Sequence, residues 1–306
     1  MKTAHQIGHW IGVSLIFAVL VFVTGCGKKE PPVLSLYCSV SHLPVAEKLV
    51  ETFYRVYGVT AICIPIDDAT YAAFSLPEPE ETDSITIKNR YETRKEAVFA
   101  SGRIQRLKSW IKNAAYKDFP QYLVDSGLGG DLFLCDSPAE VQRLRDFDLL
   151  QRDQPLAFLT PVLIVRPESG PLYSVEDILK SSESLGIVRR EVNGLGHEVN
   201  RFLQNLLQKD PSLSMDSVVV FDNETILLQA WEEKQITAAI CWDSTASRVL
   251  PEVEPLALPR TDVLAVPLTM CDLKSGADYF LMEFFSIFAF SPSGQSLFKQ
   301  FGYKTR

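Results

Sequence analysis

The stretch VLSLYCSVSHLPVAEKLVETFYRVYGVTAICIPI, residues 33–66, decides the fold class. Its first part, Val33–Cys38, is an apolar run typical of a buried strand, and Val45–Tyr57 has apolar residues at helical spacing. Gly58 stands where a helix C-cap would fall, and Val59–Ile66 is a second, β-branched strand. This strand–helix–strand order predicts two parallel strands joined by a right-handed crossover.

The same alternation continues towards the C-terminus. Apolar runs predict further strands at Asp131–Cys135, Phe158–Val165, Leu185–Val188, Val218–Phe221, Thr237–Trp242 and Val263–Pro267. Helical periodicity predicts helices over residues 85–115, 138–149, 198–207, 224–233, 278–290 and 294–301. Because these strands exceed one sheet, we expect an α/β fold of two lobes, each a mainly parallel sheet flanked by helices. The ligand cleft would lie between the lobes, at the carboxyl ends of strands.

Several helix starts carry capping or backbone-donor signals. Ser174-Val175-Glu176-Asp177 has the Ser-x-x-Asp form of a capping box. Asp222 and Asn223 can cap the helix that follows them. The turn Asn193-Gly194-Leu195-Gly196 leads from a strand into a helix, and its glycines permit close backbone approach. Helix N-termini of this kind stabilise negative charge.

The N-terminal segment has the features of an export signal. Ile11–Val23 is almost entirely apolar but short for a membrane span. The small residues Thr24-Gly25 before Cys26 resemble the lipobox of bacterial lipoproteins. The resemblance implies a signal peptide over residues 1–25, lipid on Cys26 and a tether over residues 26–32, facing the periplasmic side of a bacterial membrane. An uncleaved transmembrane anchor is the alternative.

The overall composition is that of a globular protein without nucleic-acid-binding character. The chain has 306 residues, 46% of them hydrophobic and 22% charged, and a formal net charge of −8. No basic stripe is dense enough to follow a phosphate backbone, so we expect no nucleic-acid partner. The acidic balance still permits a small anionic ligand, because backbone N–H groups can hold one without a basic surface.

The sequence contains no recognisable catalytic or metal-binding motif. Gly-x-Ser-x-Gly, His-Glu-x-x-His and P-loop patterns do not occur. A thiol nucleophile at Cys241 beside Asp243 is conceivable, but no base lies near it in sequence. Only His42 and His197 follow the leader, which is too few for a zinc motif. Of the five cysteines after Cys26, Cys38, Cys63 and Cys135 lie in apolar, strand-like runs and are expected to be buried free thiols, and an odd count leaves at least one cysteine unpaired. We therefore expect no catalytic residue, no metal and no cofactor.

Several segments have an order and spacing that occur together in one known family. They are Leu36–Leu43, Gly130–Leu134, Pro161–Val165, Ser174–Ile178, Gly194–Gly196, Ala238–Ala246, Phe290–Gln295 and Phe301–Tyr303. Through them the chain from about residue 33 to residue 303 resembles the periplasmic solute-binding proteins of ABC importers, and among these the molybdate/tungstate-binding family. Residues 67–128 are an expanded region where the resemblance is weak.

The resemblance implies a two-lobed periplasmic binding protein type II fold. Residues 33–158 and 263–306 would form lobe 1, and residues 159–262 would form lobe 2. A small tetrahedral oxyanion, molybdate or tungstate, would be held between the lobes by hydroxyls and backbone N–H groups and delivered to an ABC permease. The protein would be a monomer without catalytic activity, anchored to the membrane by its lipid.

The resemblance also implies ligand-binding positions on this sequence. They are Ser41, Ser101, Leu195, Glu224, Thr225 and Trp242. Ser41 matches the family's first serine, with an ST-turn or a helix cap as the alternative role. Leu195, and either Glu224 or Thr225, would contribute backbone N–H groups, and Ser101 is the best match for the second serine.

Four positions depart from the family pattern. Trp242 stands where the family often has a tyrosine hydroxyl, and it is either an indole donor or a core residue. Arg189 and Arg190 stand in place of Asp-Pro and either add charge at the cleft or face water. Glu224 would repel an anion unless its side chain turned outward. The alternative function is therefore a sensory or scaffolding lipoprotein with a different or lost ligand. Iron is disfavoured, because Tyr173 is the only tyrosine between residues 159 and 262.

Overall fold

The computed structural model describes residues 33–66, 119–126, 130–170, 174–181, 183–190, 193–259, 265–276 and 278–305. Cys26 with the leader and tether, Ser101, and the helix predicted over residues 85–115 lie outside the described residues. Within the described ranges, no helix is both long and apolar enough to cross a membrane.

The first sheet takes its strands from both ends of the described chain. In spatial order they are β2 (Ala61–Pro65), β1 (Leu34–Cys38), β3 (Leu132–Cys135), β10 (Val266–Leu273) and β4 (Leu150–Leu159). β1 is parallel to β2 and β3, whereas β10 is antiparallel to β3 and β4. The parallel pair predicted from residues 33–66 is therefore confirmed.

The second sheet repeats this order with strands from the middle of the chain. They are β7 (Val218–Phe221), β6 (Leu185–Val188), β8 (Ala238–Trp242), β5 (Pro161–Val165) and β9 (Leu256–Ala257). β6 is parallel to β7 and β8, whereas β5 is antiparallel to β8 and β9. The two-lobed α/β fold is confirmed, but the sheets are mixed rather than mainly parallel. We use first lobe and second lobe for each sheet with the helices packed on it.

The helices alternate with these strands along the chain. They are α1 (Leu43–Tyr57), α2 (Phe119–Ser126), α3 (Pro138–Asp146), α4 (Val175–Lys180), α5 (Gly194–Lys209), α6 (Glu224–Glu232), α7 (Asp243–Val249), α8 (Tyr279–Phe290) and α9 (Pro292–Gln300). In the described part of the chain, short 3-10 helices lie at Val40–His42 and Pro167–Ser169. As predicted, α1 ends at Gly58 with φ of 69°, and Ser174 and Asn223 cap α4 and α6.

The strands around the crossing between the lobes differ from the prediction. The single strand predicted at Phe158–Val165 is the end of β4 and the whole of β5, which belong to different sheets on either side of Thr160. The last strand runs to Leu273, well beyond the predicted end. The polar Asp272 can lie inside it because its carboxylate accepts a hydrogen bond from Ser286 and pairs with Arg152 at 2.6 Å.

The core contains the side chains that the sequence patterns assigned to it. The five cysteines after Cys26 are free and buried, as predicted for Cys38, Cys63 and Cys135. Among the described residues, the largest fully buried side chain belongs to Trp242, at the end of β8. This burial places a bulky aromatic residue directly behind the cleft-facing ends of the strands.

Candidate functional site

Loops at the carboxyl ends of parallel strands from both sheets meet in one place. In the first lobe, β1 leads into residues 39–42 and β3 leads into Asp136. In the second lobe, Gly194 begins α5, Glu224 begins α6 and Trp242 ends β8. Hydrogen bonds join Asp136 to Gly194 and Trp242, so the two sets of loops are in direct contact. Open α/β sheets bind their ligands at such ends.

A cavity of about 500 Å³ opens beside this contact and has walls from both lobes. Its charged lining residues are Glu47, Glu224, Glu232 and Arg248. Its hydroxyl-bearing lining residues are Ser41, Thr225 and Thr245. Carboxylates therefore outnumber cations in the wall, and three hydroxyls supply neutral donors. Most of the remaining lining is aliphatic.

Ser41 contributes a buried hydroxyl to the wall of this cavity. The residue is 4% exposed, and its Oγ forms no hydrogen bond of standard geometry with the described residues. Ser39 caps the 3-10 helix by accepting a hydrogen bond from the Ser41 N–H, and α1 begins without a side-chain cap. The capping role that the sequence left open therefore belongs to Ser39.

Glu224 lies at the same wall with its side chain turned inward. Its Oε1 accepts a hydrogen bond from the Trp242 backbone N–H at 2.7 Å, and its Oε2 accepts one from the Thr245 hydroxyl at 3.1 Å. Burial raises the pKa of Glu224, and the hydroxyl of Ser41, the Trp242 N–H and the charge of His42 oppose this only in part. The outward orientation that a neighbouring anion would require is absent from this side chain, because protein donors hold it in place.

Asp136 collects donors from both lobes. Its Oδ1 accepts a hydrogen bond from the Gly194 N–H at 3.1 Å, and its Oδ2 accepts one from the Trp242 indole N–H at 3.3 Å. The Nε2 atom of His42 lies 3.1 Å from Oδ2. Burial acts to raise the pKa of Asp136, but His42 and the two N–H donors together lower it below its ordinary value. The cleft therefore contains a carboxylate anion that belongs to the protein.

His42 connects this carboxylate to the C-terminal segment. Its Nδ1 lies 2.9 Å from the hydroxyl of Tyr303, whose pKa is raised by burial. The neighbouring Lys304 pairs with Asp243 of α7 at 2.7 Å. The C-terminal segment therefore supports the cleft from behind and also contacts the second lobe.

The structure brings together only some of the positions implied by the sequence resemblance. Three of them line the cavity: Ser41, Glu224 and Thr225. Leu195 is the second residue of α5 and its side chain is fully buried in the core. Trp242 is also fully buried, and its indole N–H donates a hydrogen bond to Asp136. Arg189 pairs with Asp222 at 2.6 Å on the surface, where both side chains are about half exposed.

Sequence reasoning missed Asp136, the residue with the most donors in the cleft. It follows β3 directly, and an acidic residue at the carboxyl end of a strand is a signal for a cleft position. In the sequence, His42 is considered only where a zinc motif is ruled out, whereas its ring joins Asp136 to Tyr303. Among the described residues, no group of histidine, cysteine and carboxylate side chains has the arrangement of a metal site.

Comparisons with known proteins agree with this architecture. A family model described as bacterial extracellular solute-binding protein matches residues 113–304. No curated protein matches the sequence. The family model is described as a solute-binding protein, and similar solved structures include molybdate-binding and sulfate-binding proteins.

Three solved structures show the breadth of the similarity. The periplasmic molybdate-binding protein of Azotobacter vinelandii has a TM-score of 0.62 and 11% identity, covering 89% of this chain and 99% of that chain. The sulfate-binding protein SubI of Mycobacterium tuberculosis has a TM-score of 0.60 and 10% identity, covering 89% and 86%. Iron-bound HitA of Pseudomonas aeruginosa has a TM-score of 0.59 and 14% identity, covering 90% and 87%. At these identities the similarity shows the fold alone.

Proposed function

This chain belongs to the bacterial extracellular solute-binding protein family, and we propose that it captures a small solute outside the cytoplasm and delivers it to an ABC permease. The observation that carries the proposal is the cavity of about 500 Å³ with walls from both lobes. A solute bound there would contact both lobes, and lobe closure around it would form the surface that a permease recognises.

The solute class proposed from the sequence resemblance is a tetrahedral oxyanion such as molybdate or tungstate. In its favour, the cavity wall contains the hydroxyls of Ser41 and Thr225 and the guanidinium of Arg248. Against it, the same wall also contains the carboxyl groups of Glu224, Glu47 and Glu232, which would repel an anion when ionised. Because burial favours the neutral form of Glu224, the repulsion from this residue is weaker than that from an ionised carboxylate.

The proposal includes attachment to a membrane through lipid on Cys26. Small residues before this cysteine and the apolar segment before them support it. Two acyl chains are enough for stable anchoring. Mass spectrometry of the N-terminal peptide should find a diacylglyceryl thioether on Cys26 and no residue before it. A peptide that retains the leader without lipid would contradict the anchor.

A second candidate function is a sensory or scaffolding lipoprotein with a different or lost ligand. It is favoured by one observation, which is that Asp136 and Glu224 already accept the N–H groups of Gly194 and Trp242. Donors that are occupied in this way do not need an external anion.

Thermal unfolding of the purified protein tests the solute class. The additives are molybdate, tungstate, sulfate, phosphate and arginine, and the last tests whether the acidic wall prefers a cation. A ligand at about 100 times its dissociation constant should raise the midpoint by about 5 °C. A rise with molybdate and tungstate alone supports the oxyanion importer, whereas a rise with arginine alone supports a different solute. Anion-free protein that responds to none of the five would favour the second candidate.

A further inference from the structure

The first N–H group of α5 points at a carboxylate from the opposite lobe. Gly194 is the first residue of this helix, and N–H groups at a helix start have no partner inside the helix. The side chain of Asn193 accepts the Gly196 N–H, while the Gly194 N–H donates to Oδ1 of Asp136. The helix start, which in this fold class is suited to an external anion, is therefore satisfied from across the cleft.

Two further groups converge on the same carboxylate. The Trp242 indole N–H approaches Oδ2 from the second lobe, and His42 Nε2 approaches it from the first lobe. A backbone N–H, an indole N–H and an imidazole together resemble the donor set of an oxyanion site. Asp136 stands at their common focus.

The two lobes approach each other closely at this point. A Cβ atom on Gly194 would lie 1.9 Å from the backbone oxygen of Asp136 and 2.6 Å from its carbonyl carbon. Glycine is therefore required for the contact, because any larger residue would push the lobes apart. The contact leaves no space for a separate anion between the helix start and Asp136.

We infer that Asp136 is a built-in anion, which occupies the start of α5 in place of an external oxyanion and latches the two lobes together. The inference rests on the proposed function, since it concerns the same cleft. Asp136 is covalently part of the first lobe, so its carboxylate is always present at high effective concentration. An external anion can reach these donors only in the fraction of molecules whose latch is open, and its apparent affinity falls by that fraction. Asp136 thus determines specificity against free oxyanions.

The substitution Asp136→Ala tests this inference through rescue by added anions. Removing the side chain vacates the focus of the donors, so small anions should bind there and restore contact between the lobes. We expect a midpoint several degrees below that of the unmodified protein, and a saturable rise of about 5 °C with formate, acetate, sulfate or molybdate. The unmodified protein should show no such rise.

Asp131→Ala is the matched control, because Asp131 lies at the opposite end of β3. Both aspartates are 3% exposed. Asp131 accepts hydrogen bonds from the backbone N–H and the hydroxyl of Ser35, away from the start of α5. This variant should also unfold at a lower temperature, but anions should not rescue it. Equal rescue of both variants, or of neither, would overturn the inference.

The two proposals fail in different ways. If the unmodified protein gains about 5 °C with molybdate and Asp136→Ala gains no more than that, the latch inference is wrong and the oxyanion importer stands. If only Asp136→Ala responds to anions, the latch stands and the oxyanion is removed from the proposed function. A response of the unmodified protein to arginine leaves both the latch and the solute-receptor function intact.

Hydrogen exchange supplies a measurement that needs no variant to fold. In the unmodified protein, the Gly194 amide and the Trp242 indole N–H should exchange at least about tenfold more slowly than exposed groups, because Asp136 accepts both. If the Gly194 amide exchanges as fast as an exposed amide, the latch is absent and the inference is overturned.

Discussion

Asp136 and Glu224 are two buried carboxylates on opposite sides of one cleft, and they are held in different ways. Asp136 accepts both N–H bonds from the opposite lobe, whereas Glu224 accepts its bonds from its own lobe. The pKa of Asp136 is lowered because His42 of its own lobe, together with these two donors, outweighs burial. Burial dominates for Glu224, whose pKa is raised. The origin of the donors therefore decides whether a buried carboxylate closes a cleft or forms part of its wall.

Trp242 connects the two carboxylates. Its indole N–H donates to Asp136 across the cleft, and its backbone N–H donates to Glu224 within the second lobe. The residue is fully buried, so its position is fixed by the core behind it. If the hydrogen bond between Asp136 and Trp242 were lost, a shift of this one residue would therefore also change the position of Glu224 in the cavity wall.

We expect the largest effect from Gly194→Ala, which disrupts the contact between Asp136 and the start of α5. The added methyl group would meet the Asp136 backbone oxygen at 1.9 Å, so the lobes must separate. We expect a loss of about 3 kcal/mol in the free energy of unfolding, the upper part of the range for overpacking. Small-angle X-ray scattering should show a larger radius of gyration, because the interlobe contact is lost.

Gly196→Ala is the matched variant within one lobe. Its methyl group would meet the backbone oxygen of Arg189 at 2.1 Å, and both residues lie in the second lobe. It should destabilise the protein to a similar extent without changing the radius of gyration. A radius that increases equally in both variants would show that the Gly194 clash is not specific to the interlobe contact.

We expect a smaller loss of stability when each carboxylate is replaced by its amide, and the loss should differ between Asp136 and Glu224. Asp136→Asn removes an ionised acceptor from three partners and should cost about 2 kcal/mol at about pH 5. Glu224→Gln should cost less than about 1 kcal/mol there, because burial already favours the neutral form. Urea unfolding measures both values. Equal costs would remove the distinction between a latch and a wall residue.

The sequence predicted the elements better than the site, for a physical reason. Apolar periodicity recovered β6 and β7 residue for residue, and local polar signals identified the caps at Ser174 and Asn223. The first half of β4 was not predicted as a strand, because it is polar and only partly buried. The Asp136–Gly194 contact joins residues 58 positions apart. No local pattern encodes such a contact, because it depends on how the two lobes meet.

The pH dependence of stability should have opposite signs for the two carboxylates. The folded pKa of Asp136 is below its ordinary value of 3.8, so its contribution is present above that pH and is lost as the pH falls through the folded value. The folded pKa of Glu224 is above its ordinary value of 4.5, so its contribution is full below that pH and is lost as the pH rises.

Urea unfolding across this pH range measures both contributions against the amide variants. The advantage of the unmodified protein over Asp136→Asn should shrink towards acid pH. Its advantage over Glu224→Gln should shrink as the pH rises above 4.5. If the stability difference from the amide variant changes with pH in the same direction for Asp136 and for Glu224, then the direction of the pKa shift is wrong for one of these two carboxyls.

The smallest expected effect concerns Ser41, the sequence-predicted ligand residue beside Glu224. Its hydroxyl helps to lower the pKa of Glu224 but forms no hydrogen bond of standard geometry with the described residues. Because removing this hydroxyl leaves no hydrogen-bond partner unpaired, Ser41→Ala should change the free energy of unfolding by less than about 0.5 kcal/mol. The Glu224 carboxyl should titrate at a higher pH, as followed by carbon NMR. Ser39→Ala is the control: it removes the cap of the 3-10 helix, should cost about 1 kcal/mol and should leave the Glu224 titration unchanged. If Glu224 titrates at the same pH in Ser41→Ala as in the unmodified protein, Ser41 does not act on this carboxyl. Its hydroxyl would then serve only a ligand.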